Sequence, residues 1–138
     1  MLAIHRRDLA TAEADFAVLT STESDADDTA VAMSTLYLLQ GRSRDAIPYL
    51  KTLVERVPDA DTYASLADCY IDLDELADAG ATIAQGLEKF PDNGELYLCR
   101  AELNLARYRL DEAHADARKA VMLGVPKAAV QAIFNKKQ

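Results

Sequence analysis

The sequence predicts an all-α fold, a solenoid of antiparallel helix pairs, and three observations point to it. Segments of the chain can be laid on one another with a period of about 34 residues, a step that carries Ala46 onto Ala79 and Ala79 onto Ala113. Self-similarity of that length marks stacked helical arrays, whose units cannot bury their apolar faces alone. Composition agrees, since half of the 138 residues are hydrophobic, alanine is spread through every segment and only five residues are glycine, a balance that favours helix. Finally, Pro58, Pro91 and Pro126 recur at the ends of the copies, where a residue without an N–H stops helical continuation.

Taken in order, residues 1–26 form a half-repeat in which residues 8–19 read as a second helix. Ala12 precedes Ala46 by one period, and Phe16 precedes Leu50 by the same step. Residues 20–27, Thr-Ser-Thr-Glu-Ser-Asp-Ala-Asp, read as the longest link between helices. Full repeats follow over residues 27–59, 60–93 and 94–125. The first pairs a helix over 28–40 with one over 44–57. Gly41 suits the left-handed residue that closes a helix, and Ser43 suits an N-cap. Pro48 falls in about the first turn of its helix, where it forfeits at most one backbone bond. The second repeat pairs 61–73 with 76–89 and the third pairs 94–107 with 110–124, with Asp59 and Asp92-Asn93 offering caps. Residues 126–136 form a capping helix carrying Val130, Ile133 and Phe134 on one side, as the end of an array requires.

Charge and chemistry narrow the function. A formal net charge of −8 argues against nucleic acid and against anionic membrane surfaces. The start, Met1-Leu2-Ala3-Ile4-His5-Arg6-Arg7, places its basic residues after a short apolar patch, the wrong order for a secretory signal, and no window approaches a membrane span. A cytoplasmic location is expected. Cys69 and Cys99 have no CxxC or Cys/His cluster around them and read as semi-buried thiols, not zinc ligands. His5 and His114 lie in different repeats, so no histidine relay or metal site is expected. Asp68, Asp72, Asp74, Glu75 and Asp78 gather near one helix end, but the glycine and distal glutamate of a calcium loop are missing. Neither a phosphate-binding loop nor a nucleophile elbow is present. The expectation is a protein that is not an enzyme, with no catalytic residues, cofactor or metal.

These residues resemble the tetratricopeptide repeat family, over about three full repeats plus the half-repeat and final helix. Small residues at Ala46, Ala67, Ala79, Ala101, Ala113 and Ala120 fall where that family's helices approach closely, and Tyr37, Leu50, Tyr70 and Ile83 fill the spaces between. Departures are Ser34 for a small apolar residue, Asn104 for an aromatic, and Asp74 and Tyr108 where the turn often has glycine.

The resemblance implies a right-handed superhelix whose concave groove is lined by the first helix of each pair. The first copy then presents Asp28, Val31, Ala32, Thr35, Leu38 and Leu39. The second presents Asp61, Ala64, Ser65, Asp68, Ile71 and Asp72, and the third Glu95, Leu98, Cys99, Glu102, Leu105 and Ala106. Six of these eighteen are acidic and none is basic. The family's clamp for a C-terminal carboxylate needs lysines, asparagines and an arginine; the slots here hold Val31, Thr35, Ser65, Glu95 and Cys99, which supply no positive charge.

The function expected is a protein–protein interaction module, a scaffold or adaptor binding an extended segment or amphipathic helix with apolar anchors and Lys or Arg flanks. Two alternatives stand beside it. One is a secretion chaperone of the three-repeat, acidic kind. The other is the docking or regulatory region of a larger, possibly enzymatic, protein. Weak self-association is also expected, through Leu9, Ala12, Phe16 and Leu19 at one end and Ile133 and Phe134 at the other.

Overall fold

Seven helices account for the regular structure of the computed structural model, which describes residues 23–136; no strand occurs among them. They are α1 (Glu23–Leu39), α2 (Ser43–Arg56), α3 (Ala60–Asp72), α4 (Leu76–Lys89), α5 (Gly94–Ala106), α6 (Leu110–Met122) and α7 (Lys127–Lys136). The all-α repeat expectation holds. The half-repeat helix expected over 8–19 lies outside the described residues.

The helices fall into two units, Met1–Val57 and Pro58–Gln138. In the first, α1 and α2 pack as a pair, burying Met33 and Tyr37 from one and Ala46, Leu50 and Leu53 from the other. Arg42 lies 4.6 Å over the Tyr37 ring, within cation–π range, and Arg56 Nε donates to Asp27 Oδ1 at 2.6 Å. Pro48 sits inside α2 without breaking it. Ser34 satisfies its hydroxyl within its own helix, donating to Val31 O at 3.1 Å, and so is buried without loss.

In the second unit α3 pairs with α4 and α5 with α6. Between pairs, α5 packs on α3 and α4, and α7 packs on α5 and α6. Close approach depends on small residues: Ala67, Ala79, Ala101, Ala113 and Ala120 are fully buried. A Cβ added at Gly94 would lie 2.8 Å from Val125 Cγ2 and 3.1 Å from Ala120 O. Ile133 completes a cluster with Ala101, Leu105, Ala113 and Ala117, against which Val130 and Phe134 are half-buried. The last helix, α7, thus packs over the α5–α6 pair.

One closure recurs four times among the described residues. Arg42, Glu75, Arg109 and Val125 donate their N–H to the carbonyls of Tyr37, Tyr70, Asn104 and Ala120, five positions back. The residue between takes a left-handed φ: Gly41 at 71°, Asp74 at 61°, Tyr108 at 61° and Gly124 at 106°. This is the Schellman end of a helix, normally given to glycine. The departures at Asp74 and Tyr108 therefore occupy the same left-handed position as the glycines, one and two periods after Gly41.

Two local expectations are corrected. Residues 23–27 are helical, not part of a link: α1 begins at Glu23 with the sequence Glu-Ser-Asp-Ala-Asp-Asp, and acidic residues suit the positive end of a helix dipole. Ser43 is the first residue of α2 instead of its cap; Arg42 stands at the cap with no side-chain cap bond. Asp59 and Asn93 cap as expected, accepting from Asp61 N at 3.0 Å and Leu96 N at 3.1 Å.

Candidate protein-interaction surface

Within the second unit, α3 and α5 are the first helices of their pairs and lie side by side. The contact is direct at Cys99, whose Sγ on α5 is 3.4 Å from Asp68 Oδ1 and 3.8 Å from Ala64 O on α3. Burial pushes the Cys99 thiol well above its ordinary value, and the nearby charges of Asp68, Glu102 and Glu95 raise it further, as does the hydrogen bond to Asp68. Asp68 on α3 thus touches a neutral thiol on α5 that also feels the charges of Glu95 and Glu102.

The residues read as a groove are placed as follows. On α3, Asp61, Asp68 and Asp72 are exposed, while Ala64, Ser65 and Ile71 are half-buried. On α5, Glu95 is exposed, Leu98, Glu102 and Ala106 are half-buried, and Cys99 and Leu105 are buried. Leu98 leans against the cluster that holds Ile133. On α1, in the other unit, Asp28, Val31, Thr35, Leu38 and Leu39 are exposed and Ala32 is half-buried. Asp61 and Glu95 stand at the openings of successive first helices, one period apart, so the acidic column repeats with the array.

Sequence reasoning passed over two features. The first is a buried polar knot on α5 and α6. Arg100 donates from Nε and Nη2 to Asp116 at 3.1 and 2.9 Å, and Asn104 Nδ2 donates to Asp116 Oδ2 at 2.8 Å. That knot explains Asn104 at an aromatic's place: it satisfies a carboxylate that is itself buried. The hydrogen bond to Asp116 raises the Arg100 pKa, outweighing the opposing effect of burial. No periodic signal links positions 100, 104 and 116, so only the fold reveals them. The second is a groove of about 590 Å³ along α6 and α7, to which the second helix of the last repeat contributes Ala117, Val121 and Met122 and the final helix Val130 and Phe134.

Among the described residues no group of three His, Cys, Asp or Glu side chains could hold a metal ion, and no helix is long and apolar enough to cross a membrane.

The tetratricopeptide repeat family model matches residues 37–103. Among solved structures, a tetratricopeptide repeat protein from Parabacteroides merdae is similar in fold, with a TM-score of 0.70 at 22% identity over 95% of this chain. The match spans about half of that protein, 52% of its length. No curated protein matches the sequence. Stacked repeats of this family present extended surfaces to other proteins and act as interaction scaffolds. Residues 37–103 thus match the tetratricopeptide repeat model, in a chain whose described residues fold as an all-α helical repeat.

Proposed function

We propose that this chain is a non-catalytic adaptor that binds an extended or helical protein segment bearing Lys or Arg beside apolar anchors. The observation that carries the reading is the contact of Asp68 with Cys99 where α3 meets α5, on helices that also carry Asp61, Asp72, Glu95 and Glu102. Carboxylates gathered on one face attract cationic side chains and steer their approach. Half-buried Ile71 and Leu98 on the same two helices supply apolar footing, and Asp61, Asp72, Ala64 and Ser65 extend the α3 side. The α1 residues Asp28, Val31, Thr35 and Leu38 offer a second surface of the same character. Lacking cationic side chains at these positions, the face disfavours a free C-terminal carboxylate, nucleic acid and anionic lipid alike. The secretion-chaperone and docking-region readings share this binding mode and differ only in the partner.

Selection from a displayed peptide library tests the reading. Enriched peptides should pair Lys or Arg with apolar residues, bind less tightly as salt rises, and lose affinity for the Asp61→Lys/Glu95→Lys variant, its fold checked by circular dichroism. Enrichment of acidic peptides, or binding indifferent to that variant, overturns it.

A further inference from the structure

We propose that the groove between α6 and α7 receives residues 8–19 of a second copy of this chain, which add one further helix and extend the array head to tail.

The groove is a vacant helix seat of a definite kind. In this unit each second helix packs on the first helix before it, α4 on α3 and α6 on α5, while α5 packs on α3. The last helix, α7, packs on α5 as α5 does on α3, so it stands as a first helix. Beside it the groove of about 590 Å³ runs over Ala117, Val121, Val130 and Phe134. Met122 at its edge is 79% exposed, and with Val121, Val130 and Phe134 it lines one continuous apolar strip.

Residues 8–19 carry the register of a second helix. Ala12, Phe16 and Leu19 precede Ala46, Leu50 and Leu53 by one and the same period. Those three counterparts on α2, itself a second helix, are all buried. The segment thus brings a stripe suited to burial against a first helix, and α7 is a first helix with such a seat beside it.

Charge selects the same occupant. The groove is lined by Arg118 and Lys127 and by no carboxylate, in a chain whose net charge is −8. Residues 8–19 hold Asp8, Glu13 and Asp15 and neither lysine nor arginine. An acidic amphipathic helix entering a cationic apolar groove gains both burial and attraction. Because the groove and the segment are different surfaces, the contact is heterologous and can propagate from copy to copy.

The test is light scattering on the full chain across a dilution series. Mass should rise with concentration, and high salt should shift the rise to higher concentration. Phe16→Asp spoils the segment and Met122→Glu spoils the groove; each variant alone should remain a monomer. Mixed in equal amounts they should form a dimer, since one keeps an intact groove and the other an intact segment. Circular dichroism confirms that both are folded, and Met122 is exposed enough that its substitution leaves the core untouched. In parallel, Arg118→Glu should weaken association and Glu13→Arg, added in the same chain, should restore it. A monomer mass at all concentrations, association unaffected by either substitution, or a mixture that stays monomeric overturns the proposal.

Discussion

Arg100 holds Asp116 through two parallel hydrogen bonds, Nε to Oδ2 at 3.1 Å and Nη2 to Oδ1 at 2.9 Å, while Asn104 donates to Oδ2 at 2.8 Å from the same helix. The carboxylate is nearly enclosed, its side chain 10% exposed against 42% for the guanidinium. Forked Arg–carboxylate geometry is among the stronger hydrogen-bonded pairs. Asp116→Ala strands the buried amide of Asn104 and leaves Arg100 to solvent. The expected loss is about 2 kcal/mol, the range for hydrogen bonds to a charged group reduced for Arg100's exposure. Urea denaturation checks it, and Asp116→Asn, which keeps the shape, should lose less.

The left-handed residues Asp74 and Tyr108 invite the opposite change. Left-handed backbone costs a non-glycine residue about 1–2 kcal/mol, of which glycine's extra unfolded-state freedom returns part. Tyr108 is 92% exposed, so its ring contributes little packing. Tyr108→Gly should therefore raise stability by about 0.5–1 kcal/mol, read as a higher melting temperature. Asp74→Gly should gain less, because Asp tolerates this conformation better.

At Gly94 the constraint is space. A methyl group there meets Val125 Cγ2 at 2.8 Å and the Ala120 carbonyl at 3.1 Å. Gly94→Ala should cost about 1–3 kcal/mol, the usual range for overpacking. Adding Val125→Ala relieves the closer contact but not the one to backbone, so chemical denaturation of the double variant should show partial recovery.

Cys99 yields a pH dependence with a definite sign. Burial and its carboxylate neighbours raise its folded pKa above the ordinary value of 9.0. The unfolded chain therefore releases this proton at lower pH than the folded one. Stability from the neutral thiol is whole below about pH 9 and declines as pH climbs from there toward the folded value. Cys99→Ala should flatten that alkaline limb in thermal melts. Alkylation of Cys99 in the folded chain should also be slower than that of a free thiol at pH 8.5, since the thiolate is the nucleophile.

Much of this architecture was legible because a repeat states each of its rules several times. The small residues at Ala46, Ala79 and Ala113 are separated by one period, and all three are fully buried. Asp59 and Asn93 announced helix starts through their own chemistry. Less was legible where competing signals lay within one turn. Glu23 to Asp27 reads as polar link, yet acidic residues also suit a helix start, and helix was the outcome. Ser43 has the chemistry of a cap but sits one residue inside its helix. For the interaction face, periodicity identifies first helices without saying how deep each side chain lies. Cys99 and Leu105 are buried, whereas their neighbours Glu95 and Leu98 are not. Depth depends on where α3 and α7 meet α5, and no local pattern encodes that. The Arg100–Asn104–Asp116 knot was hidden for the same reason, its members belonging to two helices.

The stack of His114 on Phe134, with ring centroids 4.5 Å apart and planes inclined by 13°, makes the docking of the last helix spectroscopically visible. An imidazole lying flat above a benzene ring sits in its shielding cone, so the His114 carbon-bound protons should resonate upfield of their random-coil positions. The chain has only two histidines and no tryptophan, which leaves that signal in an uncrowded region. Its return to the random-coil position on warming would time the release of α7 separately from the melting of the remaining helices.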